Sequence, residues 1–346
     1  MKKLSAWLSA VHWFKPMVSL RAFLLILCMV WVQMTCPRPI SASDVSADPL
    51  SDVTIVVSSC DKYRALWPGF FHCLFRYWPQ LETQHTRTPI VLIAGKETFT
   101  HPRVRVFQTG EDKGWSQNLL DVLAEVKTRY VLYLQEDYFL CAPVLEEKIL
   151  LMLKLMHEKP QVVYCQLTET ASHFYLGHPH VDKTFFVHDG VLKKALCATY
   201  RNSLQAALWR TETLKNLLNS SETPWQFESA GNKRSVDMEK ETGATFLTFQ
   251  YPAPFLYLNA LFRGQLDRRV LAWIRKQAVP FPNETPFPLY TEPYVNRFGE
   301  PHAFEVLKKA GCLTQEDLKS LQPKKKRKRF FKYLVDSLVN MRKYFD

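Results

Sequence analysis

The chain has 346 residues, 47% of them hydrophobic and 13% aromatic, so it is long and apolar enough to fill a sizeable core. Lys and Arg total 45 against 33 Asp and Glu, and the resulting net charge of +12 indicates an anionic partner. Much of the excess lies in one run, Lys324 to Arg329, so the rest of the chain is not typical of a nucleic-acid-binding protein. The eight cysteines contain no CxxC pair, which argues against a zinc site.

The N-terminal region combines basic residues with an apolar run. Ala22 to Val32 is almost wholly apolar. It follows four basic residues: Lys2, Lys3, Lys15 and Arg21. This pattern is typical of a signal peptide or signal anchor, so we interpret 1–36 as an apolar membrane anchor or signal segment and 37–52 as a linker. An interfacial segment and a secretory signal cleaved near 41–43 stay open as alternatives.

The body begins with alternating strand and helix patterns. Apolar, β-branched runs predict buried strands at Val53–Ser59, Pro89–Ile93, Val104–Phe107 and Tyr130–Leu134. Apolar residues recur at helical spacing from Tyr63 to Trp78, and Ser116 begins a second such pattern. This alternation predicts an α/β domain over 53–322 with a mainly parallel sheet.

The most informative stretch is the acid pair that follows the fourth predicted strand. Glu136 and Asp137 stand where that strand ends, and Asp61 follows the first strand in the same way. Adjacent acids at the carboxyl end of a buried parallel strand are costly unless they face a crevice and a cation. Carboxylate oxygens favour Mg²⁺ or Mn²⁺, so the pair is a candidate metal site for a nucleotide diphosphate. A plain strand-to-loop acid pair or a helix cap is the alternative.

A third acid is a candidate general base. Glu228 stands beside Trp225 and Phe227, and apolar neighbours raise the pKa of a carboxyl group. Such a group is suited to take the proton from an acceptor hydroxyl, and a structural salt bridge is the alternative. The chain has no GxxxxGK[ST] loop and no G-x-G-x-x-G after its first strand, so ATPases and dinucleotide oxidoreductases lose their main support.

The C-terminal segment is basic and amphipathic. Pro323 opens the basic run, and apolar residues then recur at helical spacing between Lys332, Arg342 and Lys343. We interpret 323–346 as a polybasic amphipathic helix that docks on an anionic leaflet. A nuclear localisation signal and a solvated charged tail are the alternatives.

Four segments together resemble the metal-dependent glycosyltransferases of the GT-A type, specifically a bacterial group of uncharacterised sugar transferases related to the family-2 enzymes. The segments are 55–61, 114–120, the strand that ends at 136–139, and 224–228. The resemblance implies a Rossmann-like GT-A nucleotide-sugar-binding domain. It also implies sugar transfer from a nucleotide-sugar donor, with a UDP-sugar favoured.

The same resemblance implies roles for individual residues. It places three residues at the donor: Asp61, Trp115 and Asn118. Glu136 and Asp137 correspond to the family's Asp-X-Asp site for Mn²⁺ or Mg²⁺, although the first acid here is Glu. Glu228 corresponds to the acceptor-side base, which favours inversion at the anomeric carbon.

The sequence therefore predicts a membrane-associated glycosyltransferase that acts on a glycan or lipid-linked acceptor hydroxyl, with no nucleic-acid partner. A catalytically degenerate nucleotide-binding or membrane-adaptor protein and a metal-dependent nucleotidyltransferase or phosphohydrolase stay open. Activated sugars are made in the cytosol, whereas the N-terminal charges point the body outward. We predict the cytoplasmic face of the bacterial inner membrane, with a Golgi-like type II membrane protein as the alternative.

Overall fold

The computed structural model describes residues 50–83, 87–169, 181–187, 190–198, 200–250, 252–292 and 301–320. The predicted anchor, nearly all of the predicted linker and the predicted basic helix lie outside these ranges. Within them, no helix combines the length and the apolar character needed to cross a membrane.

A mixed sheet of nine strands forms the centre of the described residues. Its strands are β1 (Val53–Ser58), β2 (Ile90–Ala94), β3 (Val104–Gln108), β4 (Tyr130–Gln135), β6 (Val162–Glu169), β7 (Val181–Val187), β8 (Val191–Lys194), β9 (Ala207–Arg210) and β10 (Thr245–Phe249). The smaller sheets contain β5 (Tyr138–Leu140), β11 (Tyr257–Asn259), β12 (Leu261–Phe262), β13 (Gln265–Asp267) and β14 (Leu289–Tyr290). The order across the large sheet is β3-β2-β1-β4-β9-β6-β10-β8-β7.

The prediction of a mainly parallel sheet is confirmed for β1 to β4 and for the pair of β6 and β10, and it is wrong for β8 and β9. β1 to β4 are parallel neighbours, and β6 and β10 are parallel to each other, whereas β9 runs antiparallel between β4 and β6, and β8 runs antiparallel between β10 and β7. A parallel return needs a crossover of a dozen or more residues, usually a helix. The described residues between β6 and β9 form a hairpin and a loop instead, which explains the antiparallel entry of β9.

Helices cover both faces of the sheet, so β1 and β2 are buried along their whole length. The helices are α1 (Trp67–Tyr77), α2 (Trp115–Glu125), α3 (Glu146–Glu158), α4 (Thr211–Leu217), α5 (Pro224–Thr242), α6 (Arg268–Lys276), α7 (Pro301–Lys309) and α8 (Gln315–Ser320). One core packs α1, α3, α6 and α7 against the sheet, and the other packs α2, α4 and α5. Because both faces of the sheet are covered, the sequences of these strands are continuous apolar runs.

The chain reverses its direction across the sheet at β1. It proceeds from β1 to β2 and β3 on one side, and then returns to β4 on the other side of β1. In open α/β sheets, the loops at such a switch point diverge and leave a crevice at the carboxyl ends of the strands. The acids that follow β1 and β4 therefore lie at the edge where a ligand is expected.

Helix α5 begins with a well-formed cap. The Thr223 side chain accepts a hydrogen bond from the Gln226 N–H, and the Gln226 side chain accepts one from the Thr223 N–H. Pro224 occupies the first turn, where its missing N–H costs nothing, and the helix ends at Gly243 in the left-handed conformation. This cap fixes the first two turns of α5, which carry Glu228.

Candidate functional site

The acid pair after β4 is buried without a compensating cation. Glu136 is only 6% exposed and Asp137 is half-buried. Burial, with the neighbouring Asp137 charge, raises the pKa of Glu136 well above its usual value, and burial raises the pKa of Asp137 to about 7. No lysine or arginine in the described ranges contributes to either shift. Two like charges held this way favour the binding of a proton or a metal ion.

The residues after β1 contact this pair from the other side of the switch point. The Ser59 hydroxyl hydrogen-bonds the Glu136 carboxylate, and the Trp67 indole N–H donates to Ser59 Oγ over 2.7 Å. Burial and then the Glu136 charge raise the pKa of the Cys60 thiol. Sequence reasoning gave Ser59 no role, and the register that aligns Ser58 with Gln135 is the signal that reveals it.

Asp61 fastens the loop after β2 to the end of β1. Its Oδ1 accepts from the N–H groups of Gly95 (2.8 Å) and Glu97 (3.3 Å), and its Oδ2 accepts from that of Lys96 (2.7 Å). Burial pushes the pKa of Asp61 upward, but these hydrogen bonds hold it below its usual value. A Cβ at Gly95 would lie 2.7 Å from Asp61 Oδ2, so the contact needs glycine there. The structure thus gives Asp61 a loop-holding role, and its contact with a donor stays a prediction.

We expect Asp61→Asn to lower the melting temperature and to weaken nucleotide binding. The amide replaces one acceptor with a donor that faces a backbone N–H, at a cost of about 1–3 kcal/mol. Glu97→Gln is the matched control, because the Glu97 side chain is exposed in the same loop. Thermal unfolding of both variants checks this. An unchanged melting temperature for Asp61→Asn would show that the loop does not depend on this carboxylate.

Trp115 begins α2 and lies against the ends of β1 and β4. Its indole N–H is shared between the Ser58 hydroxyl (3.1 Å) and the Tyr133 hydroxyl (3.2 Å). The ring meets Tyr133 edge to face and is half-buried. Trp115 therefore lies at the switch point, and its contact with a donor stays a prediction.

Asn118 is buried one turn further along α2. Its Nδ2 donates to Asp112 Oδ1 over 2.9 Å, and its Oδ1 accepts from the Lys113 N–H over 3.3 Å. The Asn118 amide thus shapes the loop before α2. Its donor contact also stays a prediction.

Leu204 connects Glu228 with Gln135 and Tyr138, the residues on either side of the acid pair. The Tyr138 hydroxyl, directly after Asp137 in the chain, lies 2.9 Å from Gln135 Oε1 and 3.0 Å from the Leu204 carbonyl oxygen. The Leu204 N–H donates to Glu228 Oε1 over 2.8 Å. The structure therefore brings Glu228 to the same sheet edge as Glu136 and Asp137.

Glu228 has the environment of a potential base. Burial raises its pKa, although the hydrogen bonds from the Leu204 N–H and the Ser203 hydroxyl act in the opposite direction. Both of these donors reach Oε1, and Oε2 accepts no hydrogen bond from the residues that the structure describes. A carboxylate with one anchored oxygen and one available oxygen is oriented for proton transfer.

Lys194, at the end of β8, is a buried cation near Glu228. It is 4% exposed, and its ammonium group donates to Gln166 Oε1 and the Tyr200 carbonyl oxygen, each over 2.7 Å. Burial and then the Arg201 charge lower the pKa of Lys194 to about 7, while the Glu228 charge opposes this. Sequence reasoning assigned Lys194 no role, because lysines are mostly exposed.

We expect Lys194 to make stability rise with pH above neutrality. The folded protein releases this proton near pH 7, whereas the unfolded chain keeps it to about pH 10.5, so unfolding takes up a proton between these values. Stability therefore increases as pH rises through this window, and Lys194→Met flattens the increase. Denaturant unfolding at several pH values measures the slope. An identical slope in Lys194→Met and wild type would show that Lys194 stays charged in the folded protein.

The backbone carbonyl of Asp137 is connected, through two backbone hydrogen bonds, to a buried cluster of ion pairs. The Ala260 N–H donates to the Asp137 carbonyl oxygen over 2.8 Å, and the Asp267 N–H donates to the Ala260 carbonyl oxygen over 2.9 Å. Arg269 donates to both Asp267 and Asp317, and all three side chains are almost fully buried. Charge-assisted hydrogen bonds of this kind give the acid pair a rigid backing.

The residues present fit a divalent cation that shares its coordination with a ligand. In the described part of the chain, no group of three or more His, Cys, Asp or Glu residues is placed to hold a metal ion. Mg²⁺ is usually held by one or two carboxylates together with water and substrate phosphates, rather than by a closed protein cage. The uncompensated pair of Glu136 and Asp137 matches that donor set.

No family model matches this chain, and neither does any curated protein sequence. Three solved structures illustrate its structural neighbours. S. aureus TarS 1–349 is 11% identical with a TM-score of 0.39, and the match covers 65% of this chain and 63% of that one. The Pyrobaculum calidifontis mannosyltransferase PcManGT, in complex with GDP-Man and Mn²⁺, is 13% identical with a TM-score of 0.39, over 83% and 81%. A cytidylyltransferase from Leptospira borgpetersenii is 11% identical with a TM-score of 0.38, over 76% and 97%.

These neighbours include a glycosyltransferase. They also include a nucleotidyltransferase. With TM-scores below 0.5, the likenesses do not assign residues or substrates to this chain.

Proposed function

We propose that the protein is a glycosyltransferase that binds a nucleotide-sugar donor, with a UDP-sugar favoured, at the carboxyl edge between β1 and β4. The observation that carries the proposal is the buried pair of Glu136 and Asp137 at the switch point, where no described cation offsets their charge. A divalent metal ion held by this pair would offset its charge and would allow the anionic diphosphate of a donor to bind there. The partly exposed ring of Trp115 lies beside it.

Each acid has a distinct part in the proposed reaction. Glu136 and Asp137 would hold Mn²⁺ or Mg²⁺, and the bound cation would offset the charge that grows on the leaving diphosphate. Ser59 orients Glu136 through its hydroxyl group. Asp61 keeps the loop after β2 against the nucleoside side of the crevice, through the three N–H groups that it binds.

Glu228 would take the proton from the acceptor hydroxyl. Its Oε1 is anchored by Leu204 and Ser203, which leaves Oε2 to face an acceptor. Its raised pKa brings the carboxylate closer to neutral pH, where general-base catalysis is most effective. A base on the acceptor side favours direct displacement, with inversion at the anomeric carbon.

The acceptor and the location are also part of the proposal. The basic run from Lys324 to Arg329 supports attachment to an anionic leaflet, where each basic residue contributes on the order of 1 kcal/mol. A lipid- or polysaccharide-linked hydroxyl acceptor at the cytoplasmic face of the bacterial inner membrane suits this. A Golgi-like location of a type II protein is the alternative.

Product analysis tests the proposed reaction class. Full-length protein in micelles is incubated with UDP-, GDP- and CMP-sugars and Mn²⁺, with and without membrane lipid extract, and nucleotide products are separated by mass spectrometry. Release of a nucleoside diphosphate, or of CMP from a CMP-sugar, together with a glycosylated product supports the proposal. A parallel incubation contains nucleoside triphosphates and sugar phosphates, and release of pyrophosphate there would instead identify a nucleotidyltransferase. Binding without any turnover would identify a nucleotide-binding adaptor.

A further inference from the structure

The buried Lys194 has no acid as a direct partner. Its ammonium group donates to Gln166 Oε1 and to the Tyr200 carbonyl oxygen, each over 2.7 Å, and both of these oxygens are neutral. Within the described part of the chain no salt bridge reaches Lys194, because Glu239 pairs with the neighbouring Arg201 instead. Buried charges are usually paired, so a buried ammonium group of this kind favours a place where an anion can bind.

Lys194 begins a series of hydrogen bonds that has only one possible direction. The series, here called the polar relay, consists of Lys194, Gln166, Thr168 and Gln205. An ammonium group only donates, so the Gln166 amide turns its oxygen to Lys194 and its Nε2 to Thr168 Oγ1, over 2.8 Å. The Thr168 hydroxyl then donates to Gln205 Oε1, also over 2.8 Å. The relay therefore fixes which end of the Gln205 amide is the donor.

The Nε2 of Gln205 is the last donor of the polar relay. Gln205 is half-buried, and its Nε2 makes no hydrogen bond to a residue that the structure describes. This nitrogen is not enclosed in the core either, so a ligand can reach it. Hydrogen bonds in series polarise one another, and a donor polarised by an ammonium group binds an anionic oxygen more strongly than a neutral one.

The peptide that joins Leu204 to Gln205 lies between the acid pair and the candidate base. Its carbonyl oxygen is 3.0 Å from the hydroxyl of Tyr138, the residue directly after the pair. Its N–H donates to Ser203 Oγ over 3.2 Å, and that hydroxyl lies 3.3 Å from Glu228 Oε1. Gln205 therefore stands at the same edge of the sheet as the residues of the proposed reaction.

We propose that Gln205 Nε2 binds an acidic group of the acceptor, a carboxylate or a phosphate; this rests on the proposed glycosyltransferase function. The polar relay orients the donor before the acceptor arrives, so little ordering is needed when the acceptor binds. The charge of Lys194 at the start of the relay favours an anionic group over a hydroxyl group. The acceptor class is therefore an acidic glycan, which contains either a uronate or a sugar phosphate.

Pairs of saccharides that differ only in an acidic group test this proposal. Full-length protein in micelles is titrated by calorimetry with tetragalacturonate and with its methyl ester, which compares a carboxylate with a neutral group. Glucose 6-phosphate and glucose make the same comparison for a phosphate. UDP, GDP and CMP plus Mn²⁺ are titrated separately, so that the donor site is measured independently of the acceptor.

Three variants change the end of the polar relay in different ways. Gln205→Ala removes the donor, and Gln205→Glu replaces it with a carboxylate. Thr168→Val keeps the Gln205 donor and removes the hydroxyl group that orients it. Gln161→Glu is the matched control, because Gln161 is an exposed glutamine directly before β6, at the end of that strand away from Thr168.

We expect Gln205→Ala to weaken binding of the preferred acidic saccharide by about ten-fold, and Gln205→Glu to weaken it further. Thr168→Val should weaken it by about three-fold. Combining Thr168→Val with Gln205→Ala should cost no more than Gln205→Ala alone, because the hydroxyl group acts through Gln205. Nucleotide affinity in all variants, and saccharide affinity in Gln161→Glu, should remain at wild-type values.

Three outcomes would overturn this inference and leave the donor site standing, provided that a nucleotide still binds. The first is wild-type affinity for the acidic saccharides in both Gln205 variants, which would assign their binding to another basic surface such as Lys324 to Arg329. The second is equal affinity for the two members of each pair, and the third is no binding of either acidic saccharide. Failure of nucleotide binding itself refutes the proposed function.

Discussion

Asp137→Asn is expected to abolish metal-dependent transfer while it makes the metal-free protein more stable. Loss of a metal-binding carboxylate would weaken the stabilisation of the negative charge that develops on the leaving diphosphate during transfer. We therefore expect turnover to fall by a factor on the order of 10³. The gain in stability has a separate cause. Asp137 repels Glu136 in a buried setting, and the amide removes that repulsion.

The stability gain depends on pH with a defined sign. The pKa of Asp137 is about 7 in the folded protein and 3.8 ordinarily, so the folded state binds more protons between these values. Wild-type stability in chelator therefore falls as pH rises from about 4 to about 7, and the penalty is complete above that. At about pH 8 we expect Asp137→Asn to be more stable by on the order of 2 kcal/mol, with little difference near pH 4.

Denaturant unfolding in chelator at both pH values, together with a transfer assay, measures these effects. Glu136→Gln should behave in the same direction, because the two acids repel each other. Glu125→Gln is the control, since Glu125 is an exposed acid on α2 that pairs with Arg105. A loss of stability at pH 8 in Asp137→Asn would mean that the acid pair has a structural role rather than a metal-binding one.

Glu228→Gln is expected to separate a catalytic role from a structural one. Gln keeps an oxygen that accepts from the Leu204 N–H, so the melting temperature and donor affinity should stay near wild type. Gln cannot accept the acceptor's proton, so kcat should fall by about 10²–10⁴-fold. Glu228→Ala should lose both activity and stability, because the Leu204 N–H is then left without this partner.

The pH profile of transfer provides a second measurement of the same role. Burial raises the pKa of Glu228, and a base works only when deprotonated. In wild type, kcat/KM should rise with pH through an apparent pKa above the ordinary carboxyl value, and residual activity of Glu228→Gln should lack this rise. Near-wild-type kcat in Glu228→Gln would mean that Glu228 only holds the segment 203–204 in place.

The strands of the first half of the sheet follow closely from sequence, because burial on both faces leaves continuous apolar runs. The sequence predicts a strand over Val53–Ser59, and β1 ends at Ser58. It predicts another strand over Tyr130–Leu134, and β4 ends one residue later. The predicted helix from Tyr63 begins only at Trp67. Pro68 favours the first turn of an α-helix, and 61–66 forms a 3₁₀ turn instead.

The site was predictable only where its residues follow local patterns. Glu136 and Asp137 follow a strand that its apolar run predicts, so their position at the carboxyl edge of the sheet follows from the sequence. The approach of Glu228 depends on β9 entering the sheet antiparallel, which places Leu204 between Glu228 and Tyr138. The burial of Lys194 depends on Gln166, which is distant in the chain, and on Arg201, which belongs to no recognisable sequence pattern.

The most direct test of the central claim is calorimetric titration of the full-length chain in micelles with UDP, GDP and CMP, each with and without Mn²⁺, for wild type and Asp137→Asn. The account predicts that one nucleotide binds wild type, that Mn²⁺ strengthens its binding by about ten-fold or more, and that Asp137→Asn loses the Mn²⁺ effect. Equal nucleotide affinity with and without Mn²⁺, or binding unchanged in Asp137→Asn, would contradict it.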